Sequence, residues 1–338
     1  MVFKCKSCGS CMVYDFDKDV LVCPNCDSVG DPQTEYDNKD DPDICPICGG
    51  QLNLGQYGSA RRCNYCDSYI VSDQRLGGNN RPDAIIPTTI TKKRVFELLT
   101  EKFKNYICLI PEVFSESRLK EVIIEYVPYW VYAFNIKAAY SGIIKESVTS
   151  GNTTVTDTYS VVESWNFNMH DVPVDASEKM PDIIMDELEP FKFTEKLDFK
   201  PEYLSGSESE IANHESDHYK EEACYKVAGS VYDFIYDELS HTYPHAVNLS
   251  SGTVSKDTSL DITTAGAGYY LLPVYKYSYT LRNGTIYDYY VNGQTEEISG
   301  TAPISESRLW TAIAATVTAF AGVAALITTV LMLIGGAV

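Results

Sequence analysis

Eight cysteines fall in two sets of identical spacing. Cys5, Cys8, Cys23 and Cys26 recur as Cys45, Cys48, Cys63 and Cys66, each shifted by 40 residues, while almost nothing else in the two stretches matches. Each set reads Cys-x2-Cys, 14 residues, Cys-x2-Cys. Two cysteines at that separation place both sulfurs on one small ion from a tight turn. Two such knuckles brought together give four thiolates in a tetrahedron, the arrangement of a structural zinc site. The residues between them suit a short hairpin that carries one knuckle to the other. Gly9 and Gly49 follow the first pairs, and Asp27 and Asp67 follow the second, where a knuckle favours left-handed backbone. The spacing therefore predicts two β-rich zinc ribbons, over 1–28 and 45–71, with two structural Zn2+ ions as cofactors. Four thiolates leave no open position for a substrate. Metal binding supplies on the order of 10–16 kcal/mol per site to segments too short to bury a core of their own.

The competing readings are disulfides and redox pairs. Disulfides need an oxidising compartment, and MVFKCKSC carries no apolar signal segment. A redox Cys-x2-Cys belongs beside a βαβ pattern, whereas these pairs sit in turn-rich sequence. Cys11 extends the first set, but its counterpart is Gln51, so the repeat votes it out as a ligand. Cys108, in the apolar run YICLIP, reads as a small buried residue, and Cys224 is isolated. Free thiols beside metal thiolates point to a reducing compartment.

The formal charge of the 338 residues is -20. Residues 1–76 carry 7 Lys/Arg against 12 Asp/Glu. Each zinc held by four thiolates adds a net -2, leaving the loaded ribbons near -9. A nucleic-acid reading of the ribbons needs a basic footprint to neutralise phosphates, and the sign here is opposite.

The last charged residue is Arg308. From Leu309 to Val338 the chain carries no charge, and about 20 apolar residues span a bilayer. A single transmembrane helix is expected over 309–336, since a buried core helix is rarely uncharged all round over this length. The reading is a tail-anchored protein of the plasma membrane. Reduced ribbons place the bulk of the chain in the cytosol, Arg308 lies on that side, and Trp310 sits at the interface. Ala314, Thr318 and Gly322 lie four apart on one face, which permits close packing with a second copy of the helix. An Ala-rich anchor accounts for the same residues.

Between ribbons and anchor, residues 29–44 read as an acidic linker and 72–83 as a second linker. An amphipathic helix is expected near 91–105, with Val95, Leu98, Leu99 and Phe103 on one face. Strand signals follow in VIIEYVPYWVYAFNIKAAYSGII and in the alternation Val155, Tyr159, Val161, Trp165, Phe167. A hairpin is expected near 274–291, with Asn283-Gly284 in a type I′ turn after Arg282. The middle, 84–303, reads as one α+β domain. Its centre, 175–225, holds 15 Asp/Glu and 5 Lys, read as a solvated helical surface that an anionic leaflet repels.

Several short blocks carry a resemblance. Ile86-Pro87 with Lys92, Pro111-x2-Phe114, Tyr126-Val127-Pro128-Tyr129-Trp130, Leu272-Pro273-Val274-Tyr275 and Asn292-Gly293-Gln294-Thr295, with Gly300 and Pro303 just after, resemble the bacterial membrane proteins described as TFIIB-type zinc-ribbon proteins. The resemblance covers most of residues 1–310. It departs at Thr88, where that family tends to have Phe, and at Glu296, where it tends to have Gly. It implies no enzymatic activity. It implies SPFH-type or phage-shock-type membrane proteins as partners, and a role in membrane maintenance or stress.

His214-Glu215-Ser216-Asp217-His218 matches H-E-x-x-H, which on a helix sets two imidazoles on zinc with the Glu as the general base of a metalloprotease. The flanks are polar on every face, and no Gly-x2-His extension follows. His241 and His245 are separated by Pro244, which breaks helical geometry. The expectation is a non-enzymatic, protein-binding adaptor at the membrane, with the ribbons as its docking head and Tyr57, Tyr65 and Tyr69 as contact surface. A metalloprotease using His214, Glu215 and His218, and a nucleic-acid-binding ribbon protein, are the alternatives.

Overall fold

The computed structural model describes residues 1–35, 41, 43–104, 111–281, 283–301 and 305–335. Cys108, Arg282 and Pro303 lie outside the described residues, as do residues 105 and 336 at the ends of two expected helices. In chain order the strands are β1 (Val2–Lys4), β2 (Val13–Asp15), β3 (Val20–Val22), β4 (Gln33–Glu35), β5 (Gly58–Arg62), β6 (Tyr69–Val71), β7 (Ala84–Ile85), β8 (Ile123–Ser150), β9 (Thr153–Asp175), β10 (Leu197–Asp198), β11 (Glu208–Glu210), β12 (Thr258–Thr280), β13 (Ile286–Asn292) and β14 (Ile298–Ser299). The helices are α1 (Lys92–Phe103), α2 (Asp182–Leu188), α3 (Ser216–Thr242), α4 (Ser251–Asp257) and α5 (Glu306–Gly335).

The middle of the chain is mixed α/β, but it is not one contiguous body. One compact unit takes Met1–Pro87, Tyr126–Pro181 and Lys192–Leu272; the other takes Thr88–Glu125, Asp182–Phe191 and Pro273–Val338. The expected 84–303 domain is thus divided between them, with β8 and β12 running from one to the other.

In the first unit the long hairpin of β8 and β9 dominates. Its ladder runs from Tyr129↔Asp175 to Ser150↔Thr153. Along β8, Phe134, Ile136, Ala138 and Tyr140 are buried while Asn135, Lys137 and Ala139 are exposed, the period-2 alternation of a strand with one covered face. The cover is α3. Ala223, Val227, Val231, Ile235 and Leu239 recur every four residues on it, and all pack into the same core as the β8 side chains. The polar run read around HESDHYKEE covers only the first two turns of this helix; its apolar stripe starts at Ala223. The remaining strands assemble in the order β10-β7-β12-β8-β11-β5-β6, with β9 paired to β8.

The linker over 72–83 is part of this unit. Ser72 donates its N–H to Ser59 O at 2.7 Å, Leu76 is buried, and Asp83 and Tyr269 are joined by two hydrogen bonds of 2.8 Å. Arg75 bonds the carbonyls of Gly55 and Gly58 at 2.6 and 2.9 Å and pairs with Asp43 at 3.1 Å. The acidic linker over 29–44 contains β4, which pairs antiparallel with β1. Much of 175–225 is irregular chain rather than a helical surface, and it buries Phe191, Phe193, Phe199, Tyr203 and Leu204.

The second unit packs α1 and α2 with the hairpin of β12 and β13. The ladder runs from Val274↔Asn292 to Thr280↔Ile286, and β14 adds to β13. Thr91 caps α1, its side chain accepting from the Arg94 N–H at 3.3 Å. The buried face of α1 is Val95, Phe96, Leu99 and Phe103, so Phe96 replaces Leu98 in the expected set. The ring of Phe96 is selected because it meets Phe114 and Tyr277, while Phe103 stacks on Phe114 at 5.6 Å and meets Tyr289. The hairpin turn differs from the type I′ reading. The Leu281 N–H donates to Thr285 O at 2.8 Å; of Asn283 and Gly284, Gly284 alone has positive φ (87°), and the Asn283 side chain accepts the Thr285 N–H at 3.0 Å.

Helix α5 is long and apolar enough, from Arg308 to Ile327, to cross a membrane, and no protein covers that stretch.

Candidate metal centres

Two clusters of four cysteines stand in the first unit: Cys5, Cys8, Cys23 and Cys26, and Cys45, Cys48, Cys63 and Cys66. Within each, the four sulfurs lie within 4.8 Å of one another. The closest approaches are 3.6 Å (Cys5–Cys26), 3.5 Å (Cys8–Cys23), 3.7 Å (Cys45–Cys66) and 3.7 Å (Cys48–Cys63). A disulfide brings its sulfurs to about 2.05 Å, so these thiols are free. Sulfurs at about 2.3 Å from a tetrahedral ion stand about 3.8 Å apart, which these separations match. The donor set therefore fits a metal ion in each cluster.

Local backbone chemistry builds all four knuckles the same way. In each, the first cysteine's carbonyl accepts from the N–H four residues on: Gly9 to Cys5 at 2.8 Å, and Asp27 to Cys23, Gly49 to Cys45 and Asp67 to Cys63 at 2.9 Å. The cysteine N–H in turn donates to the residue after that, Ser10, Ser28, Gly50 or Ser68. Closing such a loop forces the fourth residue left-handed, and φ is +75°, +55°, +74° and +59° at Gly9, Asp27, Gly49 and Asp67. These are the residue types that tolerate that region at least cost.

One cysteine of the first pair and one of the second are buried in each cluster, Cys5 with Cys23 and Cys45 with Cys63. The thiols differ electrostatically. Hydrogen bonds from the Ser10 hydroxyl and backbone, and from Asn25, pull Cys8 down to about 5. Burial pushes Cys23 up to about 11 and Cys45 up to about 12. A buried thiol of that kind ionises at neutral pH only when a cation takes the charge.

Cys11 occupies the strand position of Gln51. Lys4 bridges to Cys11 as Ile44 bridges to Gln51, which closes each knuckle from outside the sulfur cluster. Its thiol lies 3.7 Å from Tyr69 O, against the second module.

Neither module stands apart from the unit. Strand β5, on the hairpin of the second, pairs antiparallel with β11, Ser209 facing Ala60. The first module's Tyr14 N–H donates to Ser205 O at 2.8 Å, and the Ser205 hydroxyl donates to Met12 O at 2.6 Å. Of the three tyrosines offered as contact surface, Tyr65 is exposed while Tyr57 and Tyr69 are half-buried.

His214 and His218 approach to 4.2 Å between ring centroids. The motif does not lie on one helix, however. Helix α3 begins at Ser216, and Glu215 is its extended N-cap residue (φ −74°, ψ 165°), so His214 and Glu215 are on non-helical backbone. Glu215 accepts from Asn79 at 3.1 Å. Among the described residues no third histidine, cysteine or carboxylate completes a metal set with these two. His241 is in α3, and His245 lies beyond its end with its N–H on Glu146.

No family model and no solved structure matches the chain. It is similar to the uncharacterized protein YdjG of Bacillus subtilis (strain 168), with 27% identity over 321 residues that cover 91% of each chain.

Proposed function

We propose that the chain is a zinc-stabilised, membrane-anchored adaptor that binds other proteins on the cytosolic side. The observation that carries this is the pair of closed four-thiol clusters on a chain whose C-terminal helix is apolar and uncovered. Among borderline ions, zinc suits a tetrahedral all-thiolate set, as two zinc-ribbon sites. With all four positions taken by sulfur, the ion holds backbone and offers no place for substrate or water. Thiols persist in a reducing compartment, which supports a cytosolic side for the bulk of the chain, with Arg308 at the inner interface. The acidic balance and the resemblance described above favour protein partners over nucleic acid, and SPFH-type or phage-shock-type membrane proteins over soluble ones.

Protease treatment of spheroplasts tests the topology. The first unit should resist digestion in intact spheroplasts and be cut once the membrane is permeabilised. Affinity capture from detergent-solubilised membranes should then recover membrane-protein partners with the full chain and fewer with a chain ending before Leu309. Digestion in intact spheroplasts would overturn the reading.

A further inference from the structure

Strand β9 forms an edge of the first unit's sheet. Its ladder to β8 runs along its whole length, and among the described residues it pairs with no other strand. In an antiparallel pair every second residue turns its N–H and C=O away from the partner, so β9 presents a row of backbone donors and acceptors to solvent. Proteins commonly blunt such an edge with lysine, proline or a bulge. From Thr153 to Met169, β9 has none of these; the register shift and the left-handed Asp171 (φ +58°) come only beyond Met169.

The side chains of this edge sort by face. Glu163 lies opposite Tyr140 and Asp157 opposite Glu146, so both acids are on the face where Tyr140 and Ile144 pack with α3. Tyr159 and Val161 stand between them on that face, while the other face of β9, from Thr154 to Asn168, is uncharged. Helix α3 walls the edge. Its Phe234 ring meets Phe167 at 5.2 Å, and Lys226 Nζ donates to Pro173 O at 3.4 Å. Asp157 and Glu146 oppose like charge to like charge. Neither Asp157 nor Glu163 has an ion-pair partner among the described residues, and both are exposed.

We propose that the edge of β9 takes an extended basic segment of a partner protein as an added strand, with Lys or Arg against Asp157 and Glu163 and apolar side chains against Tyr159 and Val161. This rests on the adaptor reading and names the surface by which the adaptor grips its partner. Main-chain hydrogen bonds supply affinity in such an addition, and alternate side chains supply selection. A cation beside Asp157 relieves its opposition to Glu146. A second copy of the chain is the wrong occupant. Strand β9 carries Asp157, Glu163, Asp171 and Asp175 with no Lys or Arg, so two such strands bring like charges together.

The probe is the end-capped peptide Lys-Thr-Val-Thr-Val-Thr-Lys, whose lysines share one face at the six-residue separation of Asp157 and Glu163. Fluorescence anisotropy of the labelled peptide reads its binding to the full chain in detergent. The lysine peptide should saturate with a Kd below about 1 mM. A version with Glu in place of both Lys should bind about tenfold more weakly or worse. A version methylated on every backbone nitrogen keeps the charges but lacks the donors, and should not bind. Asp157→Asn combined with Glu163→Gln should weaken the lysine peptide about threefold or more. Both substitutions are near-isosteric at exposed positions, so the variant keeps the fold. No saturation by the lysine peptide, equal binding by the glutamate or methylated version, or binding untouched by the double substitution would each overturn the proposal. So would self-association of the chain that the peptide disperses, which makes a second copy the occupant. Affinity capture from membranes tests the adaptor reading without this peptide, so the two can fail separately.

Discussion

Arg94 grips the carboxylate of Glu296 with two parallel hydrogen bonds, Nε to Oε1 at 2.8 Å and Nη2 to Oε2 at 2.7 Å. Glu296 is left-handed, φ +66°. The fork of a guanidinium matches a carboxylate in both direction and spacing. The side chain thus offsets a backbone conformation that a glycine adopts at no cost. Two substitutions separate the contributions. Glu296→Ala loses the pair and keeps the strain. Glu296→Gly loses the pair and relieves the strain, so it should be more stable than Glu296→Ala by about 1 kcal/mol. Urea unfolding of the two variants measures the difference, and equal midpoints would show that no strain is stored there.

The same pair sets an acid sensitivity. Hydrogen bonding from Arg94 holds the Glu296 carboxyl below its ordinary value. A depressed carboxylate contributes stability above its unfolded value, about 4.3, and loses it as pH falls through the folded value. Acid should therefore destabilise the parent more than Glu296→Gln between about pH 5 and pH 3. The pair is a third or more exposed, so the effect is small and should shrink in high salt.

Metal analysis of chain purified without added metal should give two zinc ions per chain. Cys48→Ser should remove one and loosen the second module, while Cys11→Ser should leave the count at two. Acidification should release metal, because protons compete for the thiolates that hold it. A count unchanged by Cys48→Ser would exclude the second cluster as a site.

Ile235 of α3 is fully buried against the β8 side chains. Ile235→Ala should cost about 2–5 kcal/mol and Ile235→Val about 0.5–1.5 kcal/mol, read by denaturant unfolding. On the same helix Tyr225 is 82% exposed, and Tyr225→Ala should change little. Similar costs at positions 225 and 235 would contradict the packing of α3.

A chain ending at Arg308 should leave the membrane fraction and stay folded, since the apolar stretch from Arg308 to Ile327 is uncovered by protein. Its sedimentation with membranes in high salt would show a second attachment.

What the sequence by itself determined is local. A Cys-x2-Cys knuckle is a turn of a few residues, so its spacing and its left-handed positions at Gly9, Asp27, Gly49 and Asp67 are legible without any partner. An uncharged run at the C-terminus needs only its own length and composition to declare a helix apolar enough to cross a membrane, and the β-branched, aromatic run through Phe134 to Tyr140 declares a strand. Tertiary structure decided everything that depends on distant chain. That β5 pairs with β11, that Arg75 ties 72–83 to the second cysteine module, and that Asp83 locks to Tyr269 join residues far apart in sequence, and 72–83 reads alone as a linker. Phe96 rather than Leu98 faces inward because Phe114 and Tyr277 wait there. His214 and His218 match a helical motif by spacing, yet the helix starts between them, because Glu215 takes extended backbone as its N-cap residue. Pattern reports what each segment can do; long-range pairing, whose closure entropy only the whole fold can repay, selects what it does.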